Sequence, residues 1–417
     1  MTDANLKGRV VLGSGVGGYS SNNVVYSVTS GSDTTGFYLQ YTIGNLYTAI
    51  LDTLATKTYS MSADEALPAD ATLAGTSLTV TGNSKNVTGG KTVTIGSGKT
   101  LTINGVNTWT GNFTNSGTVS SNAKITGNIT NAGSFTSSGA ITGAVTNNAG
   151  GTFSSSSTIS SNVTSTGASG KTTTFTSGGA ISGNVTNNSY STFNNNSTIA
   201  GNVTNAGTMT SSASNLATGS SSKITNTGTL KLSGGTLSKN ISADGSTSYA
   251  SGTTQITANT TNAASIYQNN VTVDSGKTLT NNSSKVVEVN TLSNSGTIAN
   301  AGTVTVHNTT NLGAFSGAGT LVLNGDGKTF TANSTVTQGG ITLTKGTLTT
   351  ANAGYIAANV ANSGTVQFTN SGTLAKVITG GTVELKGGTT TIASNTYLAS
   401  TPKLNFTGGS LSTVGGG

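Results

Sequence analysis

From Gly111 onward, single apolar residues alternate with threonine, serine or asparagine, as in Val203-Thr204 and Thr208-Met209-Thr210. Alternation with period two is the mark of strands whose side chains point by turns inward and outward. The same stretch repeats at longer range. A unit of Gly-Asn, an apolar residue, Thr-Asn-x-Gly-x and a second apolar residue, followed by a polar stretch and an isoleucine, starts at Gly111, Gly127, Gly143, Ser161, Gly183 and Gly201. The spacings are 16, 16, 18, 22 and 18 residues. Three apolar columns run through the copies: Phe113, Ile129, Val145, Val163, Val185, Val203; then Val119, Phe135, Phe153, Phe175, Phe193, Met209; then Ile125, Ile141, Ile159, Ile181, Ile199.

One unit with about three apolar residues cannot shield them from water. Stacked units can, because each column then becomes a continuous stripe inside a coil. Threonine and β-branched residues favour strands, and helix formers at helical spacing are missing. The pattern therefore predicts an all-β fold, a parallel β-helix (β-solenoid) with about three short strands per coil. About 19 residues per coil and a strand separation near 4.8 Å predict about 18 coils and a rod of roughly 85 Å.

The corner carries its own signature, an apolar residue then (Thr/Ser/Ala)-Asn-x-Gly-x-apolar. It recurs at Ile224–Leu230, Leu292–Ile298, Ile298–Val304, Val360–Val366 and Phe368–Leu374. Glycine is expected here for a positive φ, and asparagine for bonding to its own turn backbone. Stacked coil on coil, Asn115, Asn131, Asn147, Asn187 and Asn205 are expected to form a structural amide ladder.

Residues 1–70 break the pattern and predict a non-repeat head, cap or assembly domain, with the solenoid occupying 71–417. The head holds six of the eleven tyrosines, the only arginine and six of the eleven carboxylates. Strand-like runs are Arg9–Leu12, Val24–Thr29 and Gly36–Ile43. Residues 45–57 read as a short helix with Leu46, Ile50, Leu51 and Leu54 on one face. Met1–Gly8 lacks the apolar segment of a signal peptide. No apolar run reaches the roughly 18 residues that span a bilayer, so membrane insertion is not expected.

Composition narrows the chemistry. There is no cysteine, and His307 is the only histidine. That excludes disulfides, thiolate chemistry and multi-histidine metal sites. Residues 71–243 hold no carboxylate, and Asp244, Asp274, Glu288, Asp326 and Glu384 are far apart in sequence. The chain is therefore not expected to be an enzyme, nor to carry a cofactor or metal. The net charge of +7 combines −3 in residues 1–70, three basic against six acidic, with +10 in residues 71–417, fifteen lysines against five carboxylates. Scattered lysines and a single arginine do not make a nucleic-acid surface. They suit solubility and blunted strand edges.

Thr-x-Thr triplets at Thr92, Thr100, Thr303 and Thr342 are similar to the flat faces of ice-binding β-helices, although no constant position per coil is evident from spacing. Loops around Ser165–Thr172 and Asn194–Ser197, with Tyr190, Trp109 and Tyr249 as stacking rings, suggest a glycan-binding adhesin as an alternative. Gly317-Ala-Gly-Thr-Leu321-Val-Leu323-Asn-Gly325, with Thr329-Phe-Thr331, Gly339-Gly-Ile341 and Gly346-Thr-Leu348, resembles the autotransporter-associated β-strand repeat. The segment Gly380–Gly387 looks like another copy. The Thr-Asn-x-Gly units resemble those of autotransporter passenger domains and filamentous surface adhesins. The resemblance implies a bacterial extracellular or cell-surface β-helical stalk. The leading expectation is a structural protein that builds a fibre or surface layer by head-to-tail self-assembly. Its contacts would be Tyr19, Tyr26, Tyr38 and Tyr41 of the head against Leu404 and Phe406 of a last coil with an unpaired edge.

Overall fold

The computed structural model describes residues 24–29, 38–309, 311–393, 398–399 and 403–414. The fold is an all-β parallel β-solenoid of about 18 turns. Two compact units divide it: Met1–Val145 with Gly151–Ser157, and Thr146–Gly150 with Thr158–Gly417.

In the first unit, parallel pairing sets Leu78, Leu101, Val119, Phe135 and Phe153 in one column. A second column runs Val93, Phe113, Ile129. In the second unit the columns are Val163, Val185, Val203, Ile224, Ile241 and Phe175, Phe193, Met209, Leu230. All these side chains are buried. Phe135 stacks on Phe153 at 5.2 Å in the first unit, and Phe175 on Phe193 at 4.7 Å in the second. Each such pair adds about 0.5–1.5 kcal/mol beyond its buried area.

The third side differs from a full strand. Ile125 meets Ile141, and Ile159, Ile181 and Ile199 meet one another, through isolated bridges. Bends at Gly139 and Gly143 flank Ile141 so closely that only one residue pairs. In this block each coil therefore has two strands and a bridging isoleucine.

The motif glycines serve close approach rather than a positive φ. A Cβ on Gly133 would lie 2.1 Å from the carbonyl oxygen of Gly117, and one on Gly127 would lie 1.9 Å from that of Gly111. Neither has a left-handed φ. Successive corners thus pack backbone on backbone, which no side chain permits.

The motif asparagines are buried at these corners. Asn115 Nδ2 donates to Asn131 Oδ1 at 2.7 Å, while Asn115 Oδ1 accepts from Gly117 N at 3.0 Å. In the second unit Asn187 donates to Asn205 and Asn205 to Asn226, each at 2.7 Å. Asn147 lies in the same unit and donates to the Thr174 carbonyl at 3.0 Å. Asn226 in turn donates to Gln268 Oε1 at 2.5 Å, across 42 residues of sequence. A later run, Asn262 to Asn281 to Asn300, ends likewise on Gln338. Neither glutamine carries the corner motif. Asn370, which does carry it, is exposed.

A second, exposed asparagine row flanks the first. The Oδ1 of Asn184 accepts from Asn202 N at 2.8 Å, and that of Asn202 accepts from Lys223 N at 2.9 Å. It comes from the Gly-Asn pair that opens each unit.

The N-terminal region closes the first unit. The helix Leu46–Leu51 is capped by Asn45, whose side chain accepts from Thr48 N. Leu46, Ala49 and Ile50 are fully buried, whereas Leu51 and Leu54 are 43% and 44% exposed. The buried face is thus narrower than the one expected, because Asp52 ends the helix in extended conformation. Parallel stacking begins at Thr56–Ser60, which pairs with Ser77–Thr81. Lys57 occupies the inward position above Leu78, and its Nζ donates to the Asp52 carbonyl at 2.5 Å. Burial lowers the Lys57 pKa, opposed by the Asp52 charge. Glu65 accepts from Leu46 N at 2.6 Å and from the Tyr59 hydroxyl at 2.5 Å.

Two outcomes are expected. Asn205→Ala leaves Asn226 Oδ1 without its donor and should cost about 1–3 kcal/mol in urea unfolding. Asn202→Ala, on the exposed row, should cost about 0.5 kcal/mol or less. Burial, then the hydrogen bond and charge of Glu65, raises the Tyr59 hydroxyl pKa above its ordinary value of 10.0. The stability linked to this raised value is fully present below the unfolded pKa of about 10 and is lost as pH rises through the folded one. Tyr59→Phe should therefore show a smaller alkaline loss of melting temperature above that pH than the parent.

Candidate functional site

Of the residues expected to mediate assembly, Tyr19 lies outside the described residues. Tyr26 is on the strand Val24–Thr29, and Tyr38 and Tyr41 are on Tyr38–Ile43; the two strands pair antiparallel with Tyr26 opposite Tyr41. In the second unit, Lys403–Phe406 pairs in parallel with Thr382–Leu385. Leu404 sits on Val383 and Phe406 on Leu385, continuing the columns of Val366 and Phe368. Phe368 and Leu385 are each 1% exposed, and Phe406 is 55% exposed. Among the described residues no further strand pairs with Lys403–Phe406. Among the described residues the rung thus has one edge without a strand partner and an inward ring that is more than half exposed.

The three proposed stacking rings part company. Trp109 is fully buried, 5.3 Å from the Phe113 ring, because the register sets it on the inward column beside Val87 and Ile125. It is unavailable to a ligand. Tyr249 lies flat against His307, with ring centroids 5.0 Å apart and planes 9° from parallel. Tyr190 is 67% exposed and holds a left-handed φ of 59°. A tyrosine in that region is uncommon, and it keeps the ring off the strand.

Tyr190 lines a groove of about 800 Å³ in the second unit, with Lys171 and Thr173. Its floor includes Thr192, Thr208 and Thr229, aligned rung on rung. Lys171 is positioned by a one-residue antiparallel bridge to Ala168, which folds the 165–172 loop back on itself. The segment 194–197 is not an open loop: Asn194 and Asn195 belong to the strand Ser191–Asn195, and the Asn195 side chain bonds to Ser197 and Ser211. An aromatic face, a row of hydroxyls and an ammonium donor are the groups that engage an uncharged polyol: the ring packs on C–H faces and the hydroxyls exchange hydrogen bonds.

The remaining polar groups are engaged separately. His307 Nε2 faces Glu288 Oε1 at 3.1 Å, and Nδ1 faces the Asn324 carbonyl at 3.0 Å. Asp274 accepts from Gln255, Asp244 from the backbone of Ser246 and Ser248, and Glu384 from Gln367 and Thr407. These hydrogen bonds hold Asp244 and Glu384 below the usual carboxylate range. Among the described residues no three metal-ligating side chains cluster, and no helix is long and apolar enough to cross a membrane.

No protein-family model matches this chain, and no curated protein or solved structure matches it.

Proposed function

We infer that the chain is a non-enzymatic structural protein of the bacterial cell surface or extracellular space, a β-solenoid stalk that assembles with copies of itself into a fibre or layer. The observation that carries this reading is the rung Lys403–Phe406, whose outer edge pairs with no strand among the described residues and whose inward phenylalanine is 55% exposed. An open edge is a template for another strand. The uncovered ring adds apolar area that association removes from water. A tail on one molecule that receives the head of the next is a heterologous contact, and such contacts grow filaments. The first unit's cap excludes the helix and Thr56–Ser60 from the docking element, because both are already packed on its own core. The docking element is therefore sought within residues 1–43.

Negative-stain imaging tests this. The full chain should form filaments, while Phe406→Lys and a deletion of residues 1–43 should each give single particles with unchanged circular dichroism. Filaments that persist in both variants, or their absence in the parent, overturn the self-assembly reading.

A glycan-binding role is the second reading, favoured by the exposed ring of Tyr190 over the hydroxyl-floored groove. Asparagine tolerates the same left-handed backbone. Tyr190→Asn should thus abolish any signal on a glycan array without lowering the melting temperature. An unchanged array profile would exclude the groove.

A further inference from the structure

One face of the first unit is chemically uniform in a way that spacing along the chain conceals. Parallel pairing aligns Thr56, Ser77, Thr100, Thr118, Ser134 and Thr152 in one outward row. It aligns Thr58, Thr79, Thr102, Ser120, Thr136 and Ser154 in a second. The residues between the two rows, from Lys57 to Phe153, are all buried, which turns both rows to solvent. Every one of the twelve positions is threonine or serine, and none is charged. Among the described residues no hydrogen bond engages any of these twelve side-chain hydroxyls, and each residue is exposed or half-exposed. The coils between these rungs differ in length, so only the folded register reveals the array.

We propose that this face binds ice. Rungs about 4.8 Å apart, and alternate residues about 6.7 Å apart along each strand, set the hydroxyls on a two-dimensional lattice. Ice presents oxygen atoms at repeats close to both. Each hydroxyl can donate one hydrogen bond and accept up to two, so it can meet a lattice water as either partner. At the threonine positions χ1 is stiff on a backbone fixed by ladder hydrogen bonds, so little freedom is lost there on binding. Where the array residue is threonine, its methyl adds apolar surface that binding removes from water. The neutral array matches a neutral lattice. A nucleic acid or anionic surface would require cations, and a crystalline polysaccharide would favour exposed rings; the twelve positions supply neither.

The second unit provides an internal comparison. One of its outward rows, Thr174, Thr192, Thr208, Thr229 and Thr253, is also hydroxyl throughout. Its companion row is Thr176, Asn194, Thr210, Lys231 and Gln255. The lysine and the two amides break the lattice there, so binding is assigned to the first unit alone. This inference is independent of self-assembly and of the Tyr190 groove.

The test uses the full chain in ice-recrystallisation and thermal-hysteresis assays, with a fluorescent label to image adsorption on an ice crystal. The parent should inhibit recrystallisation and coat the crystal. Thr102→Lys and Thr118→Lys, each an outward change in the middle of the array, should abolish both effects while circular dichroism and melting temperature stay unchanged. Thr210→Lys in the second unit should leave them intact. A parent without activity, array variants that remain active, or equal loss in Thr210→Lys would overturn the proposal. So would sedimentation with microcrystalline cellulose in place of adsorption to ice. Should a lysine variant lose its fold, Thr102→Gln, uncharged but too long for the lattice, takes its place with the same expected loss.

Discussion

The structure depends on the axial register of each rung on the one below. An apolar residue such as Val203 is shielded chiefly because Val185 lies beneath it and Ile224 above it. Inward and outward positions alternate every residue, so a slip of one would turn a whole column into water. Register is held in two ways at the same corners. Glycines such as Gly133 let backbones meet without an intervening Cβ. Buried asparagines such as Asn205 bond upward to the next asparagine and to the next strand's carbonyl. A displaced rung would leave these amides unsatisfied in a place water does not reach.

The same register decides what the surface offers. Side chains projecting from adjacent rungs form rows whether or not they interact. Thr192, Thr208 and Thr229 floor the Tyr190 groove for that reason, and the twelve hydroxyl positions of the first unit form an array for the same reason. The groove arises where one coil is longer and folds back through the Ala168–Lys171 bridge. Variation in coil length therefore creates local relief, while strand alternation creates regular faces.

Much of this fold was legible in the sequence. The three apolar columns were readable because valine, phenylalanine and isoleucine recur against a polar background. The corner motif was readable for the same reason. The cause of its glycine was not legible, since a positive φ and a close backbone contact select the same residue. Leu51 and Leu54 read as helical core because helical spacing does not show where the helix stops. Trp109 read as a possible ligand contact, whereas its place beside Val87 on an inward column needs the pairing to be known. The outward rows were hidden for a different reason. Serine and threonine occur throughout, and coil lengths vary, so a two-row lattice leaves no periodic signal. The exposure of Phe406 depends on its place above Leu385 with no described strand over it, which needs the pairing to be known.

Gln268 has a consequence for how such a chain can change. Where the strand Ile241–Ser242 ends without a corner asparagine, the longer glutamine of the following coil reaches Asn226 across the gap. The residues around Asp244 are thereby released from internal duty, and the chain makes an excursion there before rejoining its course at Thr253. Gln338 meets Asn300 in the same manner. One extra methylene group thus converts a strictly periodic architecture into one that accepts insertions, letting new appendages arise without disturbing the parts on either side.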